Sequence, residues 1–173
     1  QTGYKGQKYF VSFIDDFSRI AVVYRIKNKS EVFDRFIQYI NLMQSQTGKR
    51  VKEIRCDNGR EYINKDFYEF MKQQGIYLRS CPPYPHQLNG VAERYNRTIM
   101  NRSRCLLVEA KIHKKCWPVC IYTAAYLENR LLANTKIKKS LYEIFFKKSP
   151  NISNLHLYGS TAFVKVAEEF IIY

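Results

Sequence analysis

Cys56-Asp57-Asn58-Gly59 and Asn89-Gly90-Val91-Ala92-Glu93-Arg94-Tyr95-Asn96 decide how this chain folds. Asp57 follows a short β-branched and apolar run, residues 51–56, and Asn58-Gly59 turns the chain at once because glycine tolerates positive φ. Glu93 stands just inside a long helical pattern, residues 91–111, after a loop that contains Pro82, Pro83 and Pro85. The two carboxylates are separated by 35 residues. One at a strand end and one at a helix start can share a divalent metal. Oxygen ligands with open coordination positions suit Mg²⁺ acting on a phosphodiester.

Outward from that stretch, strands and helices alternate. Residues 8–15 and 20–26 are aromatic and β-branched and read as a hairpin around Asp16-Phe17-Ser18-Arg19. Ser30 is the expected N-cap of a helix that carries Phe33, Phe36, Ile37, Ile40 and Met43 and stops at Gly48. Asn64 caps a short helix with Phe67, Phe70 and Met71, which ends at Gly75, and residues 76–80 form another strand. After the helix of residues 91–111, residues 117–132 form a further one with Pro118 in its first turn and Trp117 in the core. The pattern predicts an α/β fold, a mixed sheet flanked by helices. Residues 1–134 are the expected core. Residues 135–173, opening on Lys136-Ile137-Lys138-Lys139, are a linker and C-terminal extension, with one or two helical turns at 141–146 and a strand at 161–166.

With 29 Lys and Arg against 15 Asp and Glu, the net charge is +14, which favours a polyanionic partner. The five cysteines have no metal-ligand spacing and fit reduced thiols in an intracellular protein. His86, His113 and His156 lack ligand spacing as well and read as surface residues. No run reaches the ~18 apolar residues of a membrane span. The N-terminus, without Met or an apolar leader, reads as a cut inside a longer polypeptide.

Three further stretches extend the pattern: Tyr9-Phe10-Val11-Ser12-Phe13-Ile14-Asp15-Asp16-Phe17-Ser18-Arg19, Cys56-Asp57-Asn58-Gly59-Arg60-Glu61-Tyr62, and Gln87-Leu88-Asn89-Gly90-Val91-Ala92-Glu93-Arg94-Tyr95-Asn96-Arg97. With Trp117, Tyr126-Leu127-Glu128-Asn129-Arg130 and Leu157-Tyr158-Gly159-Ser160, they make the chain resemble the integrase core of copia-type long-terminal-repeat retrotransposon Pol polyproteins. The resemblance spans nearly the whole chain and leaves out residues 167–173. It implies an RNase H-like fold and an Asp–Asp–Glu triad that binds Mg²⁺ or Mn²⁺. The implied activity is trimming of the element's 3′ DNA ends and their joining to target DNA. It makes Asp57 the second and Glu93 the third carboxylate.

The first carboxylate of the family lies on a strand before residues 8–15, and no acidic residue precedes Asp15. That strand is therefore expected upstream of Gln1, and the chain as written carries two-thirds of a site. Whether it is itself an enzyme turns on that missing group. Asp15 and Asp16 are expected to cap their turn through backbone N–H groups rather than bind metal. Asn58, Asn89, Arg94, Asn96, Arg97, Arg102 and Arg104 are the candidate nucleic-acid contacts, with Lys111, Lys114 and Lys115 extending the strip and Tyr84 placed to stack on an unpaired base. The expected partners are element and target DNA and further copies of the chain. The expected location is a cytoplasmic particle and then the nucleus. The competing expectation is a non-catalytic nucleic-acid-binding module; another RNase H-like nuclease fits the Asn89 to Arg94 run less well.

Overall fold

The computed structural model describes residues 2–56, 65–80, 90–131 and 138–163. Strands β1 (Tyr9–Ile14) and β2 (Ala21–Ile26) form the expected antiparallel hairpin, in the register Ser12↔Val23 and Ile14↔Ala21. Its turn is held by the Asp15 carboxylate, which accepts from both the backbone N–H and the hydroxyl of Ser18, each at 2.7 Å. Asp15 thus does what the sequence predicts. Asp16 does not: its oxygens take the guanidinium groups of Arg19 and, at 3.2 Å, Arg55, because it points outward where cations are available.

Helix α1 (Val32–Thr47) begins two residues later than its expected cap. A 3-10 turn, Lys29–Glu31, intervenes and absorbs Ser30. Asn28 is the extended residue at its start, and Glu31 reaches back to accept from the N–H groups of Asn28 (2.8 Å) and Lys27 (2.9 Å). At the far end Gly48, at φ +67°, donates to the Gln44 carbonyl and stops the helix. Strand β3 (Glu53–Cys56), helix α2 (Lys65–Gln74) and strand β4 (Tyr77–Ser80) follow, β3 pairing with β4 in parallel. Asn64, the expected cap of α2, lies outside the described residues. Helices α3 (Gly90–Glu109), α4 (Trp117–Arg130) and α5 (Leu141–Phe146) complete the order. Residues 161–163 are not a strand, and 164–166 lie outside the described residues.

The expected single sheet is, among the described residues, two two-stranded sheets, β1–β2 and β3–β4. Their helices supply two cores. Val23, Ile99, Ile121, Ala124 and Ala125 join the hairpin to α3 and α4, with Phe10, Tyr95 and Trp117 against them. Phe36, Ile40, Phe67, Met71 and Ile76 join α1 and α2 to β4, with Phe13, Tyr39 and Ile54 at the margin. Side chains alternate across a strand. Phe10 therefore meets the α3–α4 core, while Phe13 stacks on Tyr39 of α1 at 4.9 Å between ring centres. The hairpin is covered on both faces, by α1 on one and α3 with α4 on the other. Burial raises the Tyr39 phenol to about 12 and drives that of Tyr95 higher still.

Helix α4 is pinned to β2 by Asn129. Its buried amide accepts from the Ala21 N–H (3.0 Å) and donates to the Ala21 carbonyl (2.7 Å). Leu141 of α5 is buried beneath a Ser140–Glu143 capping box. The segment beyond returns to α4 and the end of α3. The Tyr158 hydroxyl lies 3.3 Å from Cys120 Sγ, and Gly159, at φ +90°, sits where a β-carbon would come within 2.6 Å of Ala110 Cβ. Among the described residues no cysteine forms a disulfide. Among the described residues no helix is long and apolar enough to cross a membrane.

Candidate active site

The parallel pairing of β3 and β4 puts the strand ends Cys56 and Ser80 opposite one another. The chain leaves both strands at that end, into residues 57–64 and 81–89, and re-enters described structure at Gly90. The carboxyl ends of parallel strands are where α/β sheets bind ligands. Asp57, Asn58, Tyr84 and Asn89 lie outside the described residues. Of the two predicted metal ligands only Glu93 has a described place.

Glu93 is exposed in the first turn of α3, where the helix dipole favours a negative charge. Among the described residues it makes no ion pair. A hard carboxylate so placed fits a divalent cation by donor chemistry. Among the described residues no three His, Cys, Asp or Glu side chains gather into a metal-binding group.

At 100° per residue, Glu93, Arg97 and Arg104 share one line along α3, with Arg94 and Asn101 beside it, and all five are exposed. Arg104 Nη1 donates to Asn101 Oδ1 at 3.2 Å. The Arg94 guanidinium folds back over Gly90, 3.6 Å from where a β-carbon there would stand. The structure thus brings Glu93, Arg94, Arg97 and Arg104 to one face. It does not bring Asn96 or Arg102 there. Asn96 turns inward and accepts from the Ser12 hydroxyl at 2.8 Å, fastening α3 to β1. Arg102 is tied to Glu128 of α4. Lys111 to Lys115 lie beyond the helix end, where Lys115 sits over the Tyr4 ring. Sequence reasoning gives no role to Glu128 or Asn129. Their signal is nonetheless present: two polar residues inside an otherwise apolar helix ask for buried partners.

The arrangement is of RNase H type: an antiparallel hairpin, a parallel pair, helices on both faces and a carboxylate at the head of α3. The chain superposes on the HTLV-2 integrase catalytic core domain solved in complex with magnesium (trimeric form) with a TM-score of 0.64 and 25% identity, covering 83% of this chain and 88% of that one. Residues 1–86 match the family described as integrase core domain, and the chain belongs to that family. It is 39% identical over 164 residues to the retrovirus-related Pol polyprotein from transposon TNT 1-94 of Nicotiana tabacum, 95% of this chain and 12% of that protein. It is 33% identical over 156 residues to the corresponding polyprotein from transposon RE1 of Arabidopsis thaliana, 90% of this chain and 10% of that one. The chain thus spans about a tenth of the length of these relatives.

Proposed function

We propose that this chain is the catalytic core of a copia-type retrotransposon integrase, which trims the 3′ ends of the element's DNA and joins them to target DNA. The observation that carries this reading is Glu93 at the head of α3, exposed and in line with Arg97 and Arg104. A carboxylate for metal and cations for phosphate then stand on one rigid element.

In this reading Asp57 and Glu93 hold Mg²⁺ or Mn²⁺, and the HTLV-2 core solved with magnesium is consistent with that choice. Bound there, the cation would stabilise the charge on attacking and leaving oxygens. The chain's own share is positional. Arg94, Arg97 and Arg104 take backbone phosphates, and Asn58 and Asn89 contact the DNA near the reacting end. Asn96 and Arg102 hold α3 in place. In end trimming water attacks the phosphorus and the 3′ oxygen leaves. In joining the freed 3′-hydroxyl attacks a target phosphodiester. Both are in-line displacements in which alignment supplies much of the rate. In this reading the first carboxylate of the triad belongs to a strand preceding β1. The working form is a multimer on DNA, first in a cytoplasmic particle and then in the nucleus. Residues 1–134 are the core and 135–173 its extension.

The test is strand transfer and reverse joining on branched DNA in Mn²⁺, comparing this chain with one lengthened upstream by about twenty residues, enough for a strand and its turn. Joining by the lengthened chain, lost on Asp57→Asn or Glu93→Gln, supports the reading. DNA binding without joining in either chain would instead assign a non-catalytic binding module.

A further inference from the structure

Residues 1–14, 20–30 and 110–127 contain no acidic side chain, and the fold brings part of each stretch to one corner. There the N-terminal turn docks on the connection between α3 and α4. Tyr4 N–H donates to the Lys115 carbonyl at 3.3 Å, and a β-carbon on Gly3 would come within 2.5 Å of Pro118 Cγ. Lys8 N–H donates to the Ile26 carbonyl at 3.0 Å, and the Lys27 side chain lies 3.7 Å from where a β-carbon of Gly6 would stand. Lys5, Lys8, Lys27, Lys111, Lys114 and Lys115 are all exposed, and none of them makes an ion pair among the described residues. We infer that this corner is a second nucleic-acid contact, a sequence-neutral seat for the backbone of duplex DNA away from the candidate active site. The inference rests on the integrase reading only in taking DNA as the polyanion.

The corner is built, not left to free chain. The Tyr4 ring lies 5.8 Å from the His113 ring, centre to centre, and the Lys115 ammonium 6.0 Å from its centre. His113 Nδ1 accepts from the Lys115 N–H at 3.1 Å. Lys111 takes the left-handed conformation at φ +52°, just past the end of α3, where glycine fits most easily. A lysine kept at a strained position favours a role for its charge. The nearby carboxylate of Glu31 is already engaged: it accepts from the N–H groups of Lys27 and Asn28 and pairs with Arg35 at 3.6 Å. Like charges gathered without counter-ions repel one another, and a polyanion relieves that repulsion.

The side-chain chemistry selects the occupant. An ammonium group is a point charge that takes phosphate oxygens and carries no base-reading geometry. A single strand asks for free aromatic platforms on which bases stack, whereas the Tyr4 ring is already flanked by His113 and Lys115. Duplex DNA presents one negative charge per ~1.7 Å of axis, the denser match for six lysines. The corner is also remote from the chemistry. Helix α3 ends at Glu109, about 24 Å along its axis from Glu93 at 1.5 Å per residue. A duplex touching both places spans about seven base pairs at ~3.4 Å each. The lysines therefore steady the DNA away from the reacting end and take no part in the displacement.

The experiment is a salt titration of binding to a duplex of about 20 base pairs. Lys5→Gln, Lys114→Gln and Lys115→Gln combined in one variant should lower the slope of log K against log salt by about 2–3, with helical circular dichroism unchanged. Lys111→Gly relieves the backbone, so its melting temperature should hold or rise while the slope falls by ~0.9. The control combines Lys49→Gln, Lys52→Gln and Lys72→Gln, which removes the same charge from exposed positions on the α1–β3 connection and α2 and should leave the slope nearly unchanged. An equal fall in both triple variants overturns the inference. So does a corner variant that loses binding to poly-glutamate but keeps its slope on DNA, which would assign the corner to an acidic protein segment. The readout does not need strand transfer. A corner-specific fall in slope without joining would count against the integrase reading only, and joining with an unchanged slope against the corner only.

Discussion

Glu93 separates chemistry from stability. It is exposed and makes no ion pair among the described residues, so Glu93→Gln should leave the unfolding free energy within about 0.5 kcal/mol of the parent. The same change should abolish joining while DNA binding persists; a folded variant that still joins would remove Glu93 from the site. Arg97 and Arg104 are the complement. Each to Ala should weaken DNA binding across sequences and lower the slope of log K against log salt by ~0.9 per contact, read from titrations at several salt concentrations. Arg102→Ala should behave differently, lowering stability through the loss of Glu128 while the salt slope stays nearly unchanged. Sequence alone groups Arg102 with Arg97 and Arg104, because spacing says which residues share a helix but not which neighbour claims a guanidinium. Asn96 escapes the sequence for the same reason: Ser12, 84 positions away, is its partner.

The elements are more legible than their partners. Alternation of aromatic and β-branched residues gives the β1–β2 hairpin, and the spacing of Phe33, Phe36, Ile40 and Met43 gives α1, because each pattern encodes a face that must be buried. The start of α1 is harder to place because three candidate caps, Asn28, Ser30 and Glu31, crowd together, and only the reach of Glu31 back to Asn28 decides among them. The division into two sheets is illegible, since strand pairing is non-local. Asn129 carries the most testable contact at this scale. Asn129→Leu removes both partners of the Ala21 peptide groups and should cost about 1–3 kcal/mol in denaturant unfolding. An unchanged midpoint would mean that water replaces the amide. Gly159→Ala, forced onto Ala110 at positive φ, should cost at least about 1 kcal/mol and loosen the C-terminal segment from α4.

For the whole molecule, the net charge of +14 is legible in the amino-acid composition, and in the proposed function it governs how the chain would meet DNA. Association should slow and weaken steeply with ionic strength. The candidate centre is legible in the sequence as a motif, Asp57 lying outside the described residues and Glu93 at the head of α3. The rings of Tyr39 and Tyr95 carry a different consequence. The chain has 14 tyrosines, and these two are held among the buried side chains of the fold. Tyr39, raised to about 12, and Tyr95 hold their protons in the folded state and release them more readily on unfolding. The stability this represents is complete below pH ~10 and falls as pH climbs through the folded-state values. Ultraviolet absorbance during an alkaline titration should show a late rise from these phenols that coincides with loss of helical circular dichroism. The phenols would thus serve as an intrinsic dye that reports when the two cores come apart.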